Sequence, residues 1–127
     1  MKKYVPVAFA LLSGIAIGGL TVQGLHAQAK PKAYTVTELQ TLDPKAAADV
    51  AARIQAAQQN AGGRNFRTGG GKVVGMEGSP PERVAITEWD NLEMAEAFFK
   101  SKVWTDIGPD RDKALKVVRR YAVEQRP

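Results

Sequence analysis

The stretch GGRNFRTGGGKVVGMEGSPPERVAITEW, residues 62–89, decides the fold because it carries two consecutive strand signals. Its first part, residues 62–78, holds seven of the chain's twelve glycines, a density typical of a backbone under special geometric demands. The alternation from Arg64 to Thr68 and the apolar residues from Val73 to Met76 predict a strand interrupted by a glycine bulge or loop. This segment is expected to shape a site without specifying a reaction.

The second part of the stretch contains the clearest strand of the chain, Arg83–Trp89. Two prolines at positions 80 and 81 predict the turn before it. Both of its faces carry apolar side chains, which suits a central strand covered by a helix on one side. One face holds Val84, Ile86 and Glu88, and the other holds Ala85, Thr87 and Trp89.

A strand and a helix precede the glycine-rich stretch. The alternation in Ala33–Leu39 predicts the first strand. Asp43 suits the N-cap and Pro44 the first position of a following helix. Its apolar side chains recur at intervals of three and four residues, so the helix should lie on the surface of the sheet. Asn60 and the glycine pair at 62 and 63 should end it.

A second helix and a last strand follow Trp89. Asp90 and Glu93 form a pair like a capping box, which predicts a helix that runs to about Ser101. Residues 102–108 then form a separate segment, and Pro109 begins a short helical turn. Val117–Glu124 is the fourth predicted strand.

The resulting order, β-α-β-β-α-β, predicts an α+β domain of the ferredoxin-like type with an antiparallel sheet. The helices of such a sandwich cover one sheet face only. The other face would meet water unless a second subunit covered it, so we expect a homodimer that pairs sheet to sheet.

The first 29 residues form a predicted signal peptide. Lys2 and Lys3 precede an uncharged apolar run, and small residues then allow cleavage after Ala27 or Ala29. Cleavage would leave a single domain, residues 30–127, in the periplasm or outside the cell. The alternative is an uncleaved segment that anchors the protein to the inner membrane, since the apolar run approaches the ~20 residues that span a bilayer.

Charge and composition exclude several classes of function. The net charge of +5 falls to +3 without Lys2 and Lys3, which gives no support for nucleic-acid binding. The chain has no cysteine and one histidine, His26, at the cleavage junction. We therefore expect no histidine-based catalysis, no metal site and no haem cofactor. Chemistry would depend on carboxylates, Lys, Arg, Tyr, Ser or Thr.

The order of motifs resembles the family called domain of unknown function 1330 (DUF1330), from Ala33 to Glu124. The resemblance implies the dimeric α/β-barrel superfamily. This sequence differs from the usual family pattern at Asn65, Phe99 and Trp104. The residues that carry the resemblance are Gly62, Gly63, Arg64, Asn65, Phe66, Glu77, Gly78, Arg83, Glu88, Ala95, Ser101, Trp104 and Arg111.

The same resemblance implies one ligand-binding pocket formed by Arg67, Glu88, Ser101, Trp104 and Arg111. Two arginines could clamp a carboxylate or phosphate, and Glu88 is the candidate catalytic base. The structural alternatives are an internal ion pair between Glu88 and Arg111, a core position for Trp104 and a capping role for Ser101.

Two functions follow from this interpretation. The first is an exported dimeric domain that binds a small anionic or aromatic molecule, with cofactor-independent chemistry on a carbonyl or aromatic compound as its enzymatic version. The alternative is a non-catalytic structural or stress-related interaction module that acts as a homodimer. The expected partners are a second copy and a small molecule, with no nucleic acid and with membrane contact only through an uncleaved leader.

Overall fold

Seven helices and strands follow one another in residues 29–127, the part of the chain that the computed structural model describes. The four strands form one antiparallel sheet in the order β2-β3-β1-β4, which confirms the predicted ferredoxin-like α+β fold. Apart from its last residue, the predicted leader lies outside the described residues. The elements are β1 (Ala33–Thr41), α1 (Pro44–Asn60), β2 (Arg64–Asn65), β3 (Arg83–Trp89), α2 (Leu92–Phe99), α3 (Lys102–Ala114) and β4 (Leu115–Glu124).

The predicted start of α1 is confirmed. The Asp43 carboxylate accepts hydrogen bonds from the backbone N–H groups of Lys45 and Ala46 at 3.1 and 3.2 Å, which satisfies two donors that have no partner within the helix. Pro44 occupies the first turn, where a missing N–H costs nothing. Ala47 and Val50 are buried against the rest of the core.

The glycine pair after α1 is required for two different reasons. Gly62 has a φ of +96°, a left-handed conformation that ends the helix and that only glycine adopts without strain. A Cβ on Gly63 would lie 2.9 Å from the Thr87 methyl group and 3.0 Å from the Trp89 ring. The backbone at Gly63 therefore packs directly on β3. Any side chain at this position would push the backbone away from the strand.

The predicted long second strand is wrong. β2 contains only Arg64 and Asn65, and after the bond from the Phe66 N–H to the Ile86 carbonyl the chain leaves the sheet. No helix or strand occurs in residues 66–82. Three consecutive glycines and two prolines explain this result, because glycine weakens strand pairing and proline cannot donate to a ladder. Val74 and Met76 are exposed in the resulting loop.

The start of α2 differs from the prediction by one residue. Asn91, not Asp90, caps the helix, and its side-chain oxygen accepts from the Met94 N–H at 2.9 Å. The Asp90 carboxylate instead accepts from Arg64 at 2.9 Å. Both residue types cap helices well, so the ion pair with β2 decides which of them does so here.

The predicted separate segment and turn form one continuous helix, α3, with Pro109 inside it. Proline clashes most with the Cβ and N–H of the residue before it. That residue is Gly108, which has no Cβ and so avoids one of the clashes that a proline causes inside a helix. Ser101 caps α3 by accepting from the Trp104 N–H at 3.3 Å, as the capping alternative predicted.

The helices cover one face of the sheet, and the structure identifies which one. Trp89 is fully buried on that face, where it packs with Ala95, Phe98 and Trp104. Its indole N–H donates to the Thr35 hydroxyl at 3.0 Å. Because Thr87 and Ala85 alternate with Glu88 and Ile86 along β3, the opposite face belongs to the second set.

We call that opposite surface the open face. Strand register places Val36 directly between Ile86 and Tyr121, and Tyr34 directly between Glu88 and Val123. The rings of Tyr34 and Phe66 lie 6.2 Å apart. Phe66, Tyr121 and Val123 are each more than 40% exposed. Within residues 29–127, no helix is long and apolar enough to cross a membrane.

Candidate functional site

A partly open cavity of about 80 Å³ lies between the covered face of the sheet and the helices α1 and α3. Its volume corresponds to roughly five to eight water molecules. The walls are mostly apolar, with several arginines and amides among them. The residues used below are Thr37, Ile54, Gln58, Asn65, Arg83, Phe99, Trp104, Arg111 and Arg120.

Trp104 and Arg111 form one wall of the cavity from a single helix. The Arg111 guanidinium carbon lies 4.1 Å from the centre of the Trp104 ring, and its Nη1 donates to the Trp104 carbonyl at 3.3 Å. The arrangement depends on Gly108, because a Cβ there would lie 3.3 Å from the guanidinium. The Arg111 side chain is only 16% exposed. Its position is therefore set by stacking on the Trp104 ring, and few of its atoms contact water.

Arg120 enters the cavity from β4. Its Nε donates to the Thr37 hydroxyl at 3.1 Å, and its guanidinium carbon lies 4.7 and 4.8 Å from the ring centres of Trp104 and Phe99. None of the ion pairs in residues 29–127 involves Arg120. Burial, and then the nearby charge of Arg111, lowers the pKa of Arg120 to about 10. The guanidinium groups of Arg111 and Arg120 thus both stack on the Trp104 ring.

The neutral polar groups around these arginines bond to one another. The Thr87 hydroxyl lies 2.9 Å from Asn65 Oδ1 and 3.3 Å from Gln58 Oε1. Asn65 Nδ2 donates to the Gln55 carbonyl at 3.2 Å. This network joins α1 to β2 and β3 and holds the amide side chains of Asn65 and Gln58 in the cavity lining.

Arg83 ties the glycine-rich loop to the cavity rim. Its Nε donates to the Gly69 carbonyl at 2.7 Å, and its Nη1 donates to the Thr41 hydroxyl at 3.2 Å. Gly69 lines the cavity together with Arg83. The loop that replaces the predicted strand therefore contributes to the site, as expected for the stretch that was predicted to shape one.

The structure brings together two of the five residues predicted for the pocket, Trp104 and Arg111. Ser101 lies at the start of the same helix, where its hydroxyl donates to the Phe98 carbonyl at 2.6 Å and supports the wall without lining it. Arg67 is exposed in the loop after β2 and is not one of the lining residues in the described part of the chain. Direct ligand contacts of these residues stay predictions.

Glu88 does not join Arg111, so the predicted internal ion pair is wrong. The Glu88 carboxylate lies on the open face, where it pairs with Arg64 at 2.9 Å and Lys32 at 3.0 Å. Hydrogen bonds from Arg64 and then Lys32 lower the pKa of Glu88. The sheet separates this carboxylate from the cavity, because Glu88 and the inward Thr87 alternate along β3.

Sequence reasoning missed Arg120 and Gln58. A signal for Arg120 was present: two adjacent arginines, Arg119 and Arg120, in a predicted strand must point to opposite faces. One of them therefore had to point toward the helices. Gln58 carried no comparable signal, because it is one of four glutamines and asparagines at the end of α1.

The site can bind charge but holds few groups that transfer protons. In the described part of the chain, no cluster of three His, Cys, Asp or Glu residues could hold a metal ion. The charged residues that line the cavity are all arginines. Guanidinium groups bind carboxylates, phosphates and other oxyanions with paired hydrogen bonds, so the geometry fits a small anion.

Solved structures support the fold. The chain is similar to the RPA0582 protein of unknown function from Rhodopseudomonas palustris, with 12% identity, a TM-score of 0.55, and coverage of 84% of this chain and 91% of that chain. It is also similar to SnoaB, a cofactor-independent oxygenase from Streptomyces nogalater, with 12% identity, a TM-score of 0.57, and coverage of 76% and 95%. At such identities the likeness shows the fold alone.

Sequence comparisons give a more specific result. A search of curated proteins finds no match. The model of the family described as "Domain of unknown function (DUF1330)" matches residues 32–125, which confirms the resemblance found in the glycine-rich stretch and the residues after it. The match covers nearly all of the described residues, and the chain therefore belongs to the DUF1330 family.

Proposed function

We propose that this domain binds a small anionic molecule in the cavity between the sheet and the helices α1 and α3. Arg111 and Arg120 would donate hydrogen bonds to the anion. The observation that carries the proposal is the position of Arg120, which is half-buried, lies next to a second arginine and pairs with no carboxylate in residues 29–127. A buried charge without a counter-charge destabilises a fold. A bound anion would supply the missing counter-charge.

The aromatic walls favour a ligand with a flat, partly apolar body. Trp104 and Phe99 are edge to face, with ring centres 4.9 Å apart, and Ile54 closes the cavity from α1. An oxyanion could bond to the guanidinium groups while its apolar part contacts these side chains. Cofactor-independent chemistry, which SnoaB carries out, is compatible with such a site but would need a substrate that reacts without a resident base.

A titration of butyrate into the purified domain tests the proposal. Isothermal calorimetry should detect binding, and Arg120→Gln or Arg111→Gln should weaken it by about tenfold or more, as expected for the loss of one charge-assisted contact. Arg53→Gln is the matched control, because it removes an exposed arginine that pairs with Asp110 and does not line the cavity. Equal affinity in all four proteins would contradict the proposal.

A second proposal concerns the open face, which we infer to be the interface of a homodimer. Val36, Ile86 and Tyr121 form an apolar row across the sheet. Ion pairs flank the row on both sides, Arg119 with Glu38 and Arg64 with Glu88. An apolar centre with a charged rim is the usual anatomy of a protein interface.

A second copy fits this surface better than an unrelated partner does. Each flank of the row carries both signs of charge, so a copy related by a two-fold axis presents complementary groups to it. A homodimer without a ligand is the alternative function. It would be favoured if the dimer forms and the cavity binds no anion.

We also propose that residues 1–29 direct export and that the mature domain starts near residue 30. The basic start, the apolar run and the small residues before Lys30 support this proposal. The destination would be the periplasm or the medium, and an uncleaved leader would instead anchor the protein to the inner membrane.

A further inference from the structure

Charged hydrogen-bond donors line the cavity, and no charged acceptor in the described part of the chain does. Two neutral oxygens of the lining already accept a hydrogen bond from the protein: the Thr37 hydroxyl from Arg120, and Asn65 Oδ1 from the Thr87 hydroxyl at 2.9 Å. A guanidinium group carries five N–H donors, and the one hydrogen bond of Arg120 within residues 29–127 uses Nε. The cavity therefore offers free charged donors and, in the described part of the chain, no charged acceptor.

The cavity also lacks a group that could remove a proton. The lining residues in the described part of the chain include no Asp, Glu, His, Lys, Tyr or Cys. The charged groups that face it are Arg83 from β3, Arg111 from α3 and Arg120 from β4, whereas β1 and α1 present neutral side chains. The carboxylate of Asp112, 3.4 Å from Arg111, is 75% exposed and is not one of the residues that line the cavity.

These two properties disfavour a neutral acid and favour its conjugate base. The O–H of a neutral enol or phenol would find only neutral acceptors, such as the amide oxygens of Gln55 and Gln58, and would gain little from the arginine charges. The anionic oxygen of the same molecule would accept from Arg111 and Arg120 in a setting of low dielectric, where the attraction is stronger than in water.

We propose that the cavity selects weakly acidic small molecules, enols and phenols, and binds them as their conjugate bases, with Arg111 and Arg120 at the anionic oxygen. This inference rests on the proposed anion-binding function and names its ligand class. The proton goes to water or buffer when the O–H or C–H bond breaks, and no redox step is involved. At neutral pH Arg120, with a pKa of about 10, is itself charged and cannot accept this proton.

The size of the cavity restricts the ligand further. Its volume of about 80 Å³ is roughly half of the ~150 Å³ that encloses a benzene ring. A compact enolate, or the acidic end of a larger planar molecule, fits this space. Acetylacetone is a suitable probe, because its acidic end can enter the partly open cavity and its enolate differs in ultraviolet absorbance from the neutral forms.

The experiment measures the apparent pKa of acetylacetone by absorbance, with and without saturating protein. We expect the protein to lower this value by one unit or more, which corresponds to a roughly tenfold preference for the enolate. Neutral 2-pentanone should not bind, and butyrate should displace the enolate. Arg120→Gln and Arg111→Gln should each remove most of the shift, and Arg53→Gln should leave it unchanged.

The outcomes separate this inference from the function on which it rests. If butyrate binds and acetylacetone binds without a gain of enolate, or does not bind, the inference is overturned and anion binding stands. If neither binds, both are wrong. Circular dichroism establishes that the variants are folded, and Arg120→Lys, which keeps a charge, should retain part of the shift even if Arg120→Gln does not fold.

Discussion

Arg119 and Arg120 are consecutive in β4, yet their guanidinium groups lie on opposite faces of the sheet. Arg119 donates to the Glu38 carboxylate at 2.6 Å on the open face, and Arg120 donates to the Thr37 hydroxyl at 3.1 Å under the helices. Glu38 and Thr37 are the direct cross-strand partners of the two arginines. One sequence dipeptide thus supplies a structural ion pair and a cation inside the cavity.

The first prediction is that Arg120→Met stabilises the unliganded protein by about 1–3 kcal/mol, because a charge without a counter-charge is replaced by an apolar side chain of similar length. Arg119→Met is the matched control. It should destabilise the protein, the opposite sign, since it leaves the largely buried Glu38 carboxylate without its donor. Chemical denaturation of both variants and the wild type measures the difference.

The advantage of Arg120→Met should depend on pH in a defined direction. The pKa of Arg120 is lowered to about 10 by burial and by Arg111, so the folded state holds this proton less firmly than the unfolded chain does. Wild-type stability therefore rises, relative to the variant, as the pH increases through about 10. A difference that grows over this range would contradict the assigned cause.

The second prediction is that Arg111 and Glu88 act independently on stability. They lie on opposite sides of the sheet, and each has its own partners. In a double-mutant cycle of Arg111→Ala and Glu88→Gln, the two effects should add. The Glu88→Gln effect should fade as the pH falls through the lowered pKa of Glu88, where the wild-type carboxylate also loses its charge. If the two effects do not add, the hypothesis of an internal ion pair between Glu88 and Arg111 would again be supported.

The third prediction concerns Gly63. An added Cβ would lie within about 3 Å of Thr87, Trp89 and the Gln58 carbonyl, so Gly63→Ala should lower stability by about 1–3 kcal/mol through overpacking. Gly70→Ala is the control, since nothing lies within 4 Å of the added group. It should be neutral or slightly stabilising. Thermal unfolding of the two variants gives the comparison.

Short-range sequence patterns correctly predicted the helices and strands that depend on neighbouring residues in the chain. Asp43 and Pro44 start α1 as expected, and the alternation in β3 is that of a central strand. The predictions were wrong where two adjacent residues could both cap a helix, or where contacts between distant residues determined the local structure. Asn91 caps α2 while the carboxylate of Asp90 binds Arg64. Pro109 lies inside α3, after a glycine that removes one of the clashes a proline causes. Neither contact is visible from spacing alone.

The site was harder to predict than the fold for the same reason. Trp104 and Arg111 share one helix, and the family resemblance named both. The pairing of Glu88 with Arg111 failed because it depends on which face of β3 the helices cover, and both faces are apolar in sequence. Arg120 joins the site through the register of β4 with β1, which includes a shift between Glu38 and Leu39.

The fourth prediction is that the exported protein starts at Gln28 or Lys30, after cleavage behind Ala27 or Ala29. Expression of the full chain, fractionation and N-terminal sequencing of the periplasmic form will check it. Recovery of intact Met1 solely in the membrane fraction would reject cleavage and establish the anchor.

The last prediction tests the homodimer. Trp89 faces the helices and is fully buried, so a charge at that position would unfold the domain rather than probe the interface.

Tyr121 is the better target, because it is 49% exposed at one end of the apolar row. Tyr121→Glu should weaken self-association by about 30-fold, the effect of losing a contact worth ~2 kcal/mol. Ala56→Glu adds the same side chain to an exposed position of α1 and should leave association unchanged. Analytical ultracentrifugation at micromolar concentration measures both. A wild-type monomer, or equal weakening by the two changes, would remove the open face as an interface, since only one of the two residues lies on it.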